Sequence, residues 1–157
     1  MRKVVMNTTP LIALADIGQL ELLHLLYEEI LIPGAVMDEI KSEPARTLVT
    51  NALWIKKISI GKTERKKLFK VRLHSGEVEV ILLAEDEEAD LVIMDDNSAK
   101  KTAKYFGLNV TGTLGVLLKA KKEGLITELK PLMDMLDDEG FYIDTNTRYL
   151  MLKYAGE

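Results

Sequence analysis

Five oxygen-bearing side chains stand where a metal or catalytic site could be built: Asn7, Glu39, Glu77, Asp95 and Asp96. Asn7 follows the apolar run Val4-Val5-Met6, and Asp95-Asp96 follow Leu91-Val92-Ile93-Met94. In open parallel sheets, sites form beyond the carboxyl ends of strands, which is where these residues fall. Glu77 opens the helix expected after Ser75, and Glu39 lies in the helix expected after Ile30–Pro33. Gathered carboxylates repel one another, and a bound cation removes that cost. Mg²⁺ or Mn²⁺ takes oxygen ligands in octahedral geometry and keeps several waters. Such an ion lowers the pKa of a bound water and stabilises charge on a phosphate under attack. Each residue also has a structural reading. Asn7 could bond nearby backbone in a turn, and Glu39 could simply face solvent. Glu77 could complement a helix dipole, and Asp95-Asp96 could cap the next helix. Their shared address at one sheet edge favours the chemical reading.

The elements that must hold these residues follow from periodicity and punctuation. Val4–Asn7 reads as a short strand, and Pro10 sits in the first turn of an apolar helix that Gly18 interrupts. A leucine-rich helix over residues 20–26 follows, able to serve as core or as a dimer face. Ile30–Pro33 is a buried strand, and a third helix is expected from Gly34 to about Ser42, ended by Glu43-Pro44. Residues 45–53 are helical or irregular, and 54–60 suit an edge strand. The basic stretch 62–72 is expected to be an exposed helix. Ser75 is placed to cap a helix burying Val78, Ile81, Leu82 and Ala84. Ala89–Met94 forms a central strand, and a helix from Ser98 to Phe106 closes at Gly107. Leu108–Thr111 is a strand that leads through Gly112-Thr113-Leu114-Gly115 into a helix ending at Gly124. Helices over 127–138 and 145–154 complete the chain. Strands alternating with helices imply a three-layer α/β/α sandwich with a mostly parallel sheet. The length, 157 residues, fits a single domain over 1–157.

Composition removes several function classes. With no cysteine, thiol catalysis and disulfides are excluded, and a cytoplasmic location is the natural expectation. No apolar run approaches the roughly 18 residues of a membrane span, so no membrane partner is expected. The net charge of −4 argues against a basic surface throughout, yet residues 62–72 hold six bases and one acid. Arg65, Lys66, Lys67, Lys70 and Arg72 could grip a phosphate backbone, or the helix could simply be solvated. Lys100 and Lys101 follow Asp95-Asp96 closely and could steer phosphate toward the site. His24 and His74 have no partner suggesting a relay or a zinc site.

The order and spacing of these pieces resemble the PIN domain superfamily, in its small prokaryotic branch related to VapC-type toxin nucleases. The likeness runs through Val4–Ala15, Ile32-Pro33 with Val36 and Glu39, Ser75-Gly76-Glu77-Val78-Glu79, Leu91–Asp96, and Val110–Leu117. It implies cleavage of single-stranded RNA by a metal-activated water, with Mg²⁺ or Mn²⁺ as cofactor. The family's acidic positions fall on Asn7, Glu39, Glu77 and Asp95, with Asp96 as an extra ligand and Thr9 as a supporting hydroxyl. Glu39, Glu77 and Asp95 would be the catalytic acids. The resemblance also implies a homodimer and an antitoxin protein as partner. One departure stands out: the usual first acid is Asp, and here it is Asn7, which keeps a ligating carbonyl but lacks the charge. Two other classes remain open beside the nuclease: a nucleic-acid or protein-binding module that has lost cleavage, and a small phosphatase built on clustered acids.

Overall fold

The computed structural model describes residues 2–60 and 75–157. The expected basic helix, with Arg65, Lys66, Lys67, Lys70 and Arg72, lies outside the described residues, as does His74. Five strands, β1 (Val4–Met6), β2 (Ile30–Pro33), β3 (Ile55–Ile58), β4 (Leu91–Ile93) and β5 (Val110–Thr111), form one sheet. All pair in parallel, in the order β3-β2-β1-β4-β5. The helices are α1 (Thr8–Asp16), α2 (Glu21–Tyr27), α3 (Gly34–Glu39), α4 (Ala45–Asn51), α5 (Ser75–Asp86), α6 (Asn97–Tyr105), α7 (Thr113–Lys122), α8 (Lys130–Asp138) and α9 (Thr145–Tyr154). The result is the α/β/α sandwich expected from the alternation of elements. No single helix among the described residues is long and apolar enough to cross a membrane.

The three inner strands are buried at every position, as a parallel sheet covered on both faces requires. β3 is an edge strand and carries exposed Lys56 and Lys57, charges that discourage further strand pairing. α5 buries Val80, Ile81, Leu82, Leu83 and Ala84. It is apolar nearly all round because it packs across β1, β2 and β4 as well as against α3. In α2, Leu22 and Leu23 are core residues while Leu25 is exposed, so this leucine-rich helix is mainly a core element. Left-handed Gly107, Gly124 and Gly140 follow α6, α7 and α8, matching their role as helix terminators.

α3 is shorter than its sequence suggests: it ends at Glu39, and Ile40 is already extended with its side chain fully buried. Arg46 takes up carbonyls left at this end. Its Nη1 donates to the Met37 carbonyl at 2.7 Å and to the Ile40 carbonyl at 3.2 Å, the latter a group that a longer helix could not have paired, since residue 44 is a proline without an N–H.

Two local features yield stability predictions. A Cβ on Gly115 would collide with the Thr111 hydroxyl, because the start of α7 turns back tightly against β5. Gly115→Ala is expected to cost about 1–3 kcal/mol, as overpacking commonly does. The paired Gly115→Ala/Thr111→Ala variant should recover most of it. Urea midpoints of the four proteins in that cycle measure the coupling, and additive effects would refute the clash.

Glu157 ties α9 to its neighbours: its carboxylate accepts from Lys121 Nζ at 2.8 Å, Leu129 N at 2.6 Å and Lys130 N at 3.0 Å. Burial pushes its pKa up, but the bonds from Lys121, Leu129 and Lys130 outweigh that and hold it below the ordinary 4.5. A depressed carboxylate contributes stability above its unfolded value and loses it as pH falls through the folded value. Glu157→Gln should therefore melt below wild type at neutral pH, with the gap closing as the pH drops below 4.5. A gap independent of pH would mean that the charge is irrelevant there.

Candidate active site

The strand order reverses beside β1. From β1 the chain builds outward through β2 and β3, then crosses to lay β4 and β5 on the other side. The crevice at the carboxyl ends of β1 and β4 is therefore a topological switch point, the usual place for a site in such sheets. Asn7 leaves β1 there, its backbone N–H donating to the Ile93 carbonyl of β4 at 2.9 Å. Asp95 leaves β4 at the same edge, just after Met94, whose N–H reaches the Thr111 carbonyl.

Asn7 is the N-cap of α1 but makes no capping bond with its side chain. It is 5% exposed, and its Oδ1 is buried with no hydrogen-bond partner among the described residues. The turn-forming role open to an asparagine is thus not the one its side chain plays. A buried carbonyl oxygen without a donor costs about 1–3 kcal/mol, a cost that a cation or an incoming donor would remove.

Asp95 is held by α7. Its Oδ1 accepts from Thr113 N at 2.8 Å and its Oδ2 from Thr113 Oγ1 at 2.7 Å. Gly112 makes room for this: a Cβ there would lie 2.7 Å from Asp95 Oδ1 and 3.0 Å from Lys100 Nζ. Glu39 links two further elements, accepting from Thr8 Oγ1 at 2.8 Å and from Gly76 N at 3.1 Å. Gly76 has no side chain because the Glu39 carboxylate occupies that space, 2.5 Å from where a Cβ would stand. Glu39 therefore sits beside the residue after Asn7 and the residue before Glu77, which is itself buried.

Three other residues take different positions. Asp96 caps α6, accepting from Ala99 N at 2.9 Å, so its carboxylate is committed to the helix. Thr9 is exposed and no hydrogen bond of its side chain occurs among the described residues; the hydroxyl that engages a site carboxylate is that of Thr8. Glu79 turns to α3 and accepts from Ala35 N at 3.3 Å, diverging from Glu77 as an i, i+2 pair on a helix does. Lys100 is half-buried and Lys101 exposed on α6. Thr8, Gly76, Gly112 and Thr113 were not read as site residues from the sequence. For Thr8, Gly112 and Thr113 the available signal was a Gly or Thr at a helix start directly beyond a candidate strand end; Gly76 offered only its place in the first turn of α5.

A family profile described as a PIN domain matches residues 3–157. The chain belongs to the PIN domain family. PIN domains are in general nucleases that use divalent metal ions. A search of the curated proteins found no match. The residues of this PIN domain suit a hard cation in donor type, since Asn7, Glu39, Glu77 and Asp95 offer only oxygen and the Asn7 carbonyl lacks a partner. Among the described residues, however, no three His, Asp or Glu side chains stand together as a group that could hold a metal. Mg²⁺ does not need such a cage, because it commonly takes one or two carboxylates and fills its remaining positions with water and substrate phosphate.

Proposed function

We propose that this PIN domain is a divalent-metal-dependent endoribonuclease, hydrolysing RNA phosphodiesters in the crevice between the ends of β1 and β4. The observation that carries this reading is the buried Oδ1 of Asn7, without a hydrogen-bond partner among the described residues, on a residue whose backbone pairs with β4 two residues before Asp95. Asn7 and Asp95 would hold the ion, with Glu39 and Glu77 completing the acidic edge. Bound Mg²⁺ or Mn²⁺ would supply an activated water and charge stabilisation at the phosphate. The chain's own part is to orient the ligands: Thr113 fixes Asp95, and Thr8 with Gly76 fixes Glu39. Asp96, already spent on α6, would contribute only by giving up that cap.

Calorimetric titration of Mn²⁺ into the protein, paired with cleavage of a panel of single-stranded RNAs, tests the reading. Saturable Mn²⁺ binding and metal-dependent cutting are expected. No binding and no cutting would sink it.

A second reading has its own support: a PIN-like module that binds nucleic acid or protein without cutting. Asn7 lacks the charge of an acid, and Asp95 and Glu39 already have protein hydrogen-bond donors. RNA binding that is indifferent to metal, without turnover, would favour it. A toxin role, with an antitoxin protein as partner and a homodimeric state, is supported by the family resemblance. Growth arrest on expression, relieved by a neighbouring gene product, and sedimentation of the purified chain would test those points.

A further inference from the structure

We propose that Lys100 is a phosphate-contacting residue of this site, presenting its ammonium beside Asp95 to the RNA backbone; this rests on the nuclease reading above. Lys100 lies one turn into α6, the helix that follows Asp95-Asp96 directly. The space left open by Gly112 is bounded on one side by Asp95 Oδ1 and on the other by Lys100 Nζ, 2.7 and 3.0 Å from the position of a Cβ. The ammonium therefore stands at the same crevice as the carboxylate, in the gap between α6 and the start of α7.

Its surroundings leave it unspent. Lys100 is half-buried, yet it makes no ion pair or hydrogen bond among the described residues. Both oxygens of Asp95 are already engaged by Thr113. A partly desolvated ammonium whose donors find no acceptor among the described residues is costly unless an anion reaches it. A phosphodiester lying in the crevice is the anion that the nuclease reading brings there. Lys104, one turn further along α6 and exposed, would continue the track on the same helix face. The competing role for Lys100 is that of an internal counter-ion, a tethered cation that quiets Asp95 when no metal is bound. The two roles predict different results when the charge is removed.

The test measures binding of a labelled single-stranded RNA of about a dozen nucleotides, in EDTA, across a range of KCl concentrations. Wild type is compared with Lys100→Met, Lys100→Arg and a remote charge control, Lys153→Met; thermal melts verify folding, and Mn²⁺ titration is run on each. Loss of one phosphate contact should weaken binding about tenfold and shallow the salt slope by about 0.7, the value for one single-strand contact. Lys100→Arg should keep both the affinity and the slope, and Mn²⁺ affinity should be little changed by Lys100→Met. The proposal is overturned if Lys100→Met binds RNA like Lys153→Met, or if it tightens Mn²⁺ while leaving RNA binding unchanged. Cleavage by wild type alongside such a result would sink Lys100 alone. Wild type that binds RNA without cutting would sink the nuclease reading and leave Lys100 judged by the salt slope. Wild type that neither binds nor cuts RNA would sink both.

Discussion

Asp95→Asn should reduce RNA cleavage at least about a hundredfold while leaving the fold nearly intact, since charge stabilisation at a reacting phosphate commonly carries effects of that size. The asparagine is nearly isosteric. Its carbonyl can still accept from Thr113 N, and its amide can donate to Thr113 Oγ1 once that hydroxyl rotates. Folding stability should therefore fall by only about 1 kcal/mol, the net worth of a typical hydrogen bond. Mn²⁺ binding should drop below detection with it. Asp95→Ala is the instructive contrast. Thr113 is fully buried, so the alanine leaves a helix N–H and a hydroxyl without partners, at a further cost of about 1–3 kcal/mol. Urea unfolding beside single-turnover cleavage separates the two roles of this carboxylate, pinning α7 and serving the site. Cleavage by Asp95→Asn within a few-fold of wild type would remove Asp95 from the reaction.

Asn7→Asp should behave in opposite ways with and without metal. The side chain is buried, its Oδ1 has no donor among the described residues, and Asp95 leaves the neighbouring strand at the same sheet edge. Without metal, a carboxyl placed there is desolvated and repelled, both of which push its pKa upward. A raised carboxyl pKa means that folding is penalised once the pH rises past the ordinary aspartate value, with little penalty in acid. In EDTA at neutral pH the variant should melt well below wild type, and lowering the pH should narrow the difference. Mn²⁺ should reverse the order, because a ligand that binds only the folded state stabilises it by mass action. Mn²⁺ affinity is expected to rise about tenfold or more, and cleavage with it, since the added charge acts directly on the ion. Equal Mn²⁺-induced shifts in melting temperature for the two proteins would be falsifying: Asn7 would then not face the ion. If only the variant bound metal and cut RNA, the wild-type chain would be a PIN fold whose own work is binding.

The contrast between Thr8 and Thr9 shows where reading along the chain stops working. Both follow Asn7, both are hydroxyls, and nothing local ranks them. The first turn of α1 points Thr8 inward to Glu39 and leaves Thr9 at the surface. Asp95 and Asp96 part in the same way: one is gripped by α7 and the other is spent on capping α6. Of the two possibilities open to that pair, site ligand and helix cap, Asp96 takes the cap, while Asp95 is held by Thr113 at the crevice. Gly112 reads in sequence as a turn former and Gly76 as part of a helix start, but the space beside them is where the Asp95 and Glu39 carboxylates lie.

What the sequence determined by itself was the kind of elements and their order. Apolar runs flanked by Gly and Pro mark the strands, helical spacing marks the helices, and glycines stop them, because these preferences act over a few residues. That order also put Asn7 and Asp95 at strand ends. The tertiary structure decided that β1 lies between β2 and β4, and so that those two ends form one crevice. It decided too that α3 stops at Glu39, under the guanidinium of Arg46. The partners of each site carboxylate come from distant segments: Thr8 and Glu39 are 31 residues apart, Gly76 and Glu39 37, and Thr113 and Asp95 18. Such pairings depend on how whole elements pack, and no local preference encodes them.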